Sequence, residues 1–343
     1  MVEKKRDNNI DFFRGIAAIC IIFIHTVFWS GTSYTSPGMK SLSLLIDVPI
    51  FIFISGMSFN YSNSVFKTIK GFTKLWLKYI VFVIFYFVLI FIFNNEHFSV
   101  SNIFKAMFFV YSGKDMFPAV SSSLWFMFMY LIVSLLGDII ICVYNKFIKE
   151  IDSFKYILIV SFMFYGISLY KPGFTFIGTN IFMYLFIYLL GYYLYHFKLK
   201  NWKWFAVLLT GWFLLYIVFI FYMGLDFNSM QVYKFQYDIK YMLHSMLSIL
   251  WVLFLKDRIK INSDNVFVFI GKNALLFYFA QGISTSLMYY VLPYVNVGIW
   301  QLKLIIMFFV NVGVTFIMTL FIKFITDRLP DIKVDELFLE KRC

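Results

Sequence analysis

The chain has 343 residues, of which 62% are hydrophobic and only 14% are charged, whereas soluble domains average roughly half apolar and about a quarter charged residues. A soluble fold of this size could not hide 47 Phe, 24 Tyr and 8 Trp without exposing adhesive surface. The formal net charge of +12 does not indicate a nucleic-acid partner, because Lys and Arg collect in the cytoplasmic loops of membrane proteins. The composition excludes a soluble enzyme and predicts an integral membrane protein.

Ten apolar runs follow one another along the chain, each bounded by charged residues or by loops that carry Pro, Gly or Asn. We predict that they are membrane-spanning helices, at 10–29, 44–60, 75–93, 123–144, 156–170, 181–197, 205–223, 241–255, 273–292 and 303–325. Because ~20 residues cross ~30 Å of hydrocarbon, the fifth and eighth runs are short. The sequence therefore predicts an all-α polytopic membrane protein, a bundle of about ten transmembrane helices, as a single domain over 1–343 with a short cytoplasmic tail over 326–343.

The basic residues alternate between the loops. One set of alternate loops holds 21 of the 30 Lys and Arg and the other set holds 7, when Arg14 and Lys272 are set aside. The positive-inside rule then predicts that both termini are cytoplasmic. The basic N-terminus resembles a signal peptide, but it lacks a small-residue cleavage site, so we predict a retained first helix. The abundance of residues with A/T-rich codons suggests a low-GC bacterium, and hence a multi-pass protein of its cytoplasmic membrane.

The first span carries a cation and an imidazole. Arg14 and His25 are eleven residues apart, which at ~100° per residue places them on one helix face, ~16.5 Å apart along the axis. Charged groups at membrane depth are costly and are functional candidates by default. We interpret His25 as a candidate catalytic residue and Arg14 as an anion-binding residue. The competing interpretations are a neutral, packed histidine and an arginine that extends to the cytoplasmic headgroups.

Asp47 opens the second span, which runs back toward the cytoplasm. It should therefore lie at the depth of His25, where a carboxylate could orient the imidazole as it does for many histidine bases. We predict that the two side chains pair. The alternative is that Asp47 caps the helix that begins at Pro49.

Two further features, a serine in the second span and a basic stripe at the third, are site candidates. Ser55, next to Gly56, lies where small residues permit close helix approach. A basic stripe at i, i+4 and i+8 enters the third span and suits either anionic lipid or a phosphate-bearing cofactor; it consists of Lys70, Lys74 and Lys78. No histidine stands at metal-ligand spacing from another His, Cys or carboxylate, so we predict no metal site.

Four segments resemble the acyltransferase-3 family of integral membrane acyltransferases. The first is Ile10-Asp11-Phe12-Phe13-Arg14-Gly15-Ile16-Ala17-Ala18 with His25 after it, since that family carries an Arg and a His at this spacing on its first helix. The others are Val48-Pro49-Ile50-Phe51-Ile52-Phe53-Ile54-Ser55-Gly56-Met57, Leu124-Trp125-Phe126 and Gly271-Lys272-Asn273-Ala274-Leu275-Leu276-Phe277-Tyr278. The chain departs from the family pattern in carrying Ser123 and Gln281 where the family often has His, and lysines where it usually has an arginine pair on the third helix.

The resemblance implies transfer of an acetyl group from cytoplasmic acetyl-CoA to a hydroxyl of a cell-envelope polysaccharide or lipid-linked glycan. It implies that Arg14 and the basic stripe face the phosphates of the donor. His25 would act as general base or as transient acyl acceptor, and Ser55, Trp125, Tyr278 and Gln281 become further site candidates. Many relatives carry an appended extracytoplasmic domain, and we expect a standalone type here.

The alternative function is an exporter or flippase of a polysaccharide or lipid-linked sugar. A membrane sensor is a third hypothesis. The expected partners are the glycan acceptor and membrane lipids, with no nucleic acid, and the sequence leaves open whether the chain forms a homo-oligomer.

Overall fold

The computed structural model describes residues 7–30, 34–62, 64–93, 96, 98–111, 116–148, 150–170, 178–199 and 201–328. Across these residues the regular secondary structure is helical, and no β-strand is present. The α-helices are α1 (Asn8–Trp29), α2 (Pro37–Ser43), α3 (Val48–Ser62), α4 (Val65–Phe93), α5 (Val100–Met107), α6 (Pro118–Ser121), α7 (Trp125–Phe147), α8 (Phe154–Tyr170), α9 (Thr179–Tyr195), α10 (Trp202–Tyr222), α11 (Met230–Gln236), α12 (Ile239–Leu255), α13 (Val266–Lys272), α14 (Ala274–Val291) and α15 (Trp300–Thr326). Most of the predicted tail, 329–343, lies outside the described residues.

The predicted all-α membrane fold is confirmed. Within the described ranges, 8 helical segments are long and apolar enough to cross a membrane, and the bent pair formed by α11 and α12 raises that number to 9. The apolar helix α9 is shorter, at 17 residues. Each of the ten predicted runs falls on one of these segments, so the bundle of about ten helices is compatible with the structure. The sidedness of the termini stays a prediction.

The eighth predicted run is short because the chain bends before it. Tyr237 ends α11 in the left-handed region, with φ of 53°, and the side chain of Asp238 then accepts the backbone N–H of Lys240 to begin α12. The two helices meet at 106°. This bend returns α11 toward the bundle, where Lys234 reaches the start of α3.

Two glycine contacts set the centre of the bundle. A Cβ on Gly271 would lie 1.7 Å from the carbonyl oxygen of Asp11, so α1 and α13 touch backbone to backbone. In the same way, a Cβ on Gly56 would lie 1.9 Å from the carbonyl oxygen of Tyr188, which brings α3 against α9. Small residues are what permit such approach between helices in a membrane. These contacts fix the neighbouring residues Arg14 and Ser55 within the same central region.

Candidate active site

A cavity of about 230 Å³ lies between the helices that the glycine contacts position. Its walls come from α1, α3, α4, α7, α13 and α14 and are largely apolar, with Ile21, Phe51 and Phe126 among the lining side chains. The polar lining side chains are Arg14, Ser55, Tyr130, Lys272, Tyr278 and Gln281. Four of the site residues predicted from the sequence therefore share one cavity.

Arg14 lies in the cavity wall at the end that the predicted topology makes cytoplasmic. Its guanidinium donates to the carboxylate of Asp11 at 3.2 Å and to the hydroxyl of Ser58 at 2.7 Å. The side chain keeps 20% of its surface exposed, while Asp11 is buried at 1%. Two helices thus hold the cation in place, and its remaining N–H groups are available to an anion.

The basic stripe on α4 lies elsewhere. None of Lys70, Lys74 and Lys78 is among the residues that line the cavity, to which α4 contributes Leu75. The second cation in the wall is Lys272. In the sequence analysis this lysine is assigned to neither side of the membrane and is not predicted as a site residue. It shares this wall with Arg14 because Gly15, next to Arg14 in the chain, and Gly271, next to Lys272, form part of the close contact between α1 and α13. The structure therefore gives the three stripe lysines no place in this cavity.

His25 lies one helical turn beyond the residues of α1 that line the cavity and is not itself a lining residue. Arg14, Ala18 and Ile21 are lining residues of α1, and His25 follows Ile21 by one turn on the same face. Its Nδ1 atom is buried and has no hydrogen-bond partner among the described residues. The charges of Lys234 and Asp47 are close enough to act on the ring.

Asp47 binds Lys234 rather than His25. The carboxylate lies 2.7 Å from the ammonium of Lys234 and accepts the hydroxyl of Tyr241 at 2.6 Å. Asp47 is 1% exposed, so an ammonium delivered by the bend before α12 is a stronger partner for it than a neutral imidazole. The predicted pairing of Asp47 with His25 is therefore wrong, since the described residues show no hydrogen bond between the two side chains. That the two lie at a similar depth stays a prediction.

The remaining predicted residues join α3 and α14 to the start of α7. Ser55 lies 3.2 Å from the hydroxyl of Tyr130. Tyr278 donates its hydroxyl to the backbone carbonyl of Ser123 and packs on Phe126, with ring centroids 5.1 Å apart. Trp125 does not line the cavity but packs edge-on against Phe126, which does.

A family model described as an acyltransferase domain, that of the acyltransferase-3 family, matches residues 7–327. The chain belongs to this family of acyltransferases. No curated protein and no solved structure matches the chain. The resemblance carried by the four motifs is confirmed, and the protein is a multi-pass membrane acyltransferase.

The acyltransferase also contains a buried polar network that the sequence analysis did not assign. Asn311 on α15 donates to the hydroxyl of Thr26 at 2.9 Å and to that of Thr285 at 3.0 Å, and accepts the hydroxyl of Ser284 at 2.6 Å. All four residues are buried at the junction of α1, α14 and α15. The signal available in the sequence was a run of small polar residues in one apolar span, Ser284-Thr285-Ser286.

Within the part of the chain that the structure describes, no group of three or more His, Cys, Asp or Glu side chains is placed to hold a metal ion. His244, one of the buried histidines, is engaged by protein groups instead: its ring nitrogens lie 3.1 Å from the hydroxyl of Tyr216 and 3.0 Å from the carbonyl oxygen of Ser41.

Proposed function

We propose that this acyltransferase transfers an acetyl group from cytoplasmic acetyl-CoA to a hydroxyl of a cell-envelope polysaccharide or lipid-linked glycan in a bacterial cytoplasmic membrane. The observation that carries the proposal is the cavity itself. Its wall holds two cations, Arg14 and Lys272, and is otherwise largely apolar. The lining residues of α1 run from Arg14 to Ile21 and end one helical turn before His25.

The cavity suits the reactive arm of the donor. Its volume of about 230 Å³ is below the ~300–1,000 Å³ of sites that enclose a whole drug-sized ligand. The acyl group and the pantetheine arm would enter the apolar part, while the nucleotide stays at the cytoplasmic mouth. Arg14 and Lys272 would face the phosphates there, because a guanidinium fork and an ammonium both bind phosphate oxygens well.

His25 would carry the proton transfer. In the direct route, the acceptor hydroxyl loses its proton to a free ring nitrogen of His25 as its oxygen attacks the thioester carbon. The carbon–oxygen bond of the new ester forms, the carbon–sulfur bond breaks, and the proton passes to the departing CoA thiolate. In the two-step route, the unprotonated ring nitrogen attacks the thioester carbon and the carbon–sulfur bond breaks, so that CoA leaves and takes the proton of the other ring nitrogen. The acceptor hydroxyl then attacks the acetyl-imidazole, the carbon–nitrogen bond breaks, and the hydroxyl proton restores the neutral ring.

The geometry around His25 supports this role. Its buried Nδ1 has no hydrogen-bond partner among the described residues, so none of them competes with a substrate for that atom. The pair formed by Lys234 and Asp47 would place a fixed dipole beside the ring, and fixed dipoles stabilise charge that develops during a reaction.

A cellular experiment tests the proposal. Cells that lack the gene are complemented with the wild-type chain, with His25→Ala or with Arg14→Ala, and their surface polysaccharide is analysed by NMR for O-acetyl methyl signals. We expect these signals to return only with the wild-type chain and, more weakly, with Arg14→Ala. Polymer that still reaches the surface without acetyl groups supports the enzyme. Loss of the surface polymer itself in the His25→Ala strain would instead support an exporter.

A further inference from the structure

Gln281 on α14 carries an amide N–H group that none of the described residues accepts. The residue is fully buried, with 0% of its surface exposed, and it belongs to the cavity wall. Its Nε2 atom has no hydrogen-bond partner among the described residues. Leaving a buried donor unpaired is costly. Among the buried unpaired side chains of the described residues, Gln281 is the one that belongs to the wall of this cavity, where a ligand can supply the acceptor.

The orientation of this amide is set by the polar network behind it. Thr26 donates its hydroxyl to the carbonyl of Ile22 at 2.8 Å, so toward Asn311 it can only accept. Asn311 then donates its amide both to Thr26 and to Thr285, since its own oxygen accepts the hydroxyl of Ser284. Every bond in this part of the network therefore has a defined direction.

The direction of these hydrogen bonds also sets the orientation of the Gln281 amide. Because Thr285 accepts from Asn311, its own proton is free to go to the Oε1 atom of Gln281, which lies 3.5 Å away. Oε1 is thereby turned toward the network, and Nε2 is the end of the amide left without a partner. The network begins at Thr26, the residue after His25, and α1 contacts α14 directly. The free donor and the imidazole thus belong to two helices in contact, and the cavity that Gln281 lines ends one turn of α1 before His25.

We infer that the Nε2–H of Gln281 binds the carbonyl oxygen of the acyl thioester and stabilises the negative charge that forms on that oxygen during transfer. This inference rests on the proposed function and names a catalytic residue for it. A neutral amide suits the task because a preorganised donor aimed at the developing oxyanion lowers the barrier without adding a charge to a dry cavity. Attack by the acceptor oxygen, or by the nitrogen of His25, moves the carbonyl electron pair onto this oxygen, and the pair returns when the carbon–sulfur bond breaks.

The test compares two ligands that differ in one group. Acetyl-CoA carries the carbonyl, and S-ethyl-CoA replaces it with a methylene group at nearly the same size. Their affinities are measured for the full chain in nanodiscs, with the wild type and with Gln281→Met, which keeps the length of the side chain and removes the donor. We expect the wild type to bind acetyl-CoA about tenfold more tightly than S-ethyl-CoA, which corresponds to about 1.4 kcal/mol for one hydrogen bond. Gln281→Met should bind both ligands equally, with the affinity for S-ethyl-CoA unchanged.

Two further readouts separate catalysis from simple packing. Isotope-edited infrared spectra of carbonyl-labelled acetyl-CoA should show the carbonyl stretch at lower wavenumber on the wild type than on Gln281→Met. The kcat of Gln281→Met should fall by about 10²-fold, as for loss of one oxyanion donor, with a smaller change in KM.

Two threonine variants test whether Thr285 orients the Gln281 amide. Thr285→Val removes the hydroxyl that turns the Gln281 amide, and should weaken the preference for acetyl-CoA. Thr319→Val removes a buried hydroxyl on α15 that has no hydrogen-bond partner among the described residues, and should leave the preference unchanged.

Different results refute the role of Gln281 and the proposed function. If the wild type binds acetyl-CoA and S-ethyl-CoA with equal affinity, or if Gln281→Met keeps the wild-type preference and carbonyl stretch, the role of Gln281 is refuted while the proposed function stands. If neither CoA compound binds the wild type, the proposed function and this inference are refuted together.

Discussion

The ion pair between Asp47 and Lys234 should dominate the stability of the outer part of the bundle. The two charged atoms lie 2.7 Å apart, and the side chains are 1% and 11% exposed. Removing one partner of such a pair leaves an uncompensated buried charge, which typically costs about 3–5 kcal/mol. Lys234→Met should lower the free energy of unfolding by this amount, because the hydroxyl of Tyr241 is then the one hydrogen-bond donor that the described residues leave to the carboxylate.

A double-mutant cycle isolates the pair from other effects of the substitutions. Asp47→Asn combined with Lys234→Met removes both charges of the pair, so the double variant should be more stable than Lys234→Met alone. The coupling between two residues in contact is commonly about 0.5–3 kcal/mol. The cycle of Asp47→Asn with His25→Ala should be close to additive, since those side chains share no hydrogen bond in the described structure.

The assay is equilibrium unfolding of the purified chain in mixed micelles of increasing SDS content, followed by circular dichroism at helical wavelengths. Additive losses for Asp47 and Lys234, together with strong coupling between Asp47 and His25, would refute the structural assignment. They would restore the pairing that the sequence alone predicted.

Three other predictions concern the bundle and the donor end of the cavity. Gly271→Ala should destabilise the chain by at least about 1–3 kcal/mol, because its Cβ would meet the carbonyl oxygen of Asp11. The matched control is Gly211→Ala on α10, where no heavy atom lies within 4 Å of a new Cβ. This control should be neutral or stabilising in the same unfolding assay. Arg14→Ala should raise the KM for acetyl-CoA more than it lowers kcat, as steady-state kinetics at saturating acceptor would report, and an unchanged KM would exclude Arg14 from the donor site. An impermeant thiol reagent applied to intact cells should label a cysteine placed at exposed Lys105 and should spare one placed at exposed Lys155, and the reverse pattern would invert the predicted topology.

Much of the fold was accessible from the sequence because the signal is local. Apolar runs of sufficient length specify membrane helices wherever they occur, so each predicted run falls on a helical segment. The helical period also predicted that Arg14 and His25 share a face, and the structure places the lining residues Ala18 and Ile21 between them.

The site was less accessible because its contacts depend on how the helices rotate and pack. The i, i+4 and i+8 spacing predicted one face for Lys70, Lys74 and Lys78, but the period cannot say which face of α4 meets the cavity, and that position is held by Leu75. Lys272 was overlooked because its place beside Arg14 depends on a backbone contact between distant helices.

The partner of Asp47 was missed for a similar reason. Lys234 lies far along the chain and reaches the carboxylate only because the backbone turns by 106° between α11 and α12. That turn rests on one residue, Tyr237, in the left-handed region. A tyrosine gives no sequence signal for this conformation, unlike the Gly or Asn that usually adopts it.

We expect this acyltransferase to use His25 to move an acetyl group from acetyl-CoA to a glycan hydroxyl. The most direct measurement incubates the purified chain with carbon-13-labelled acetyl-CoA and with surface polysaccharide from cells that lack the gene, and then detects labelled acetyl ester on the polymer by NMR. The wild type should transfer the label, and His25→Ala should transfer it at least about 10²-fold more slowly while still binding acetyl-CoA. A His25→Ala protein that labels the polymer at the wild-type rate would exclude His25 as the catalytic residue.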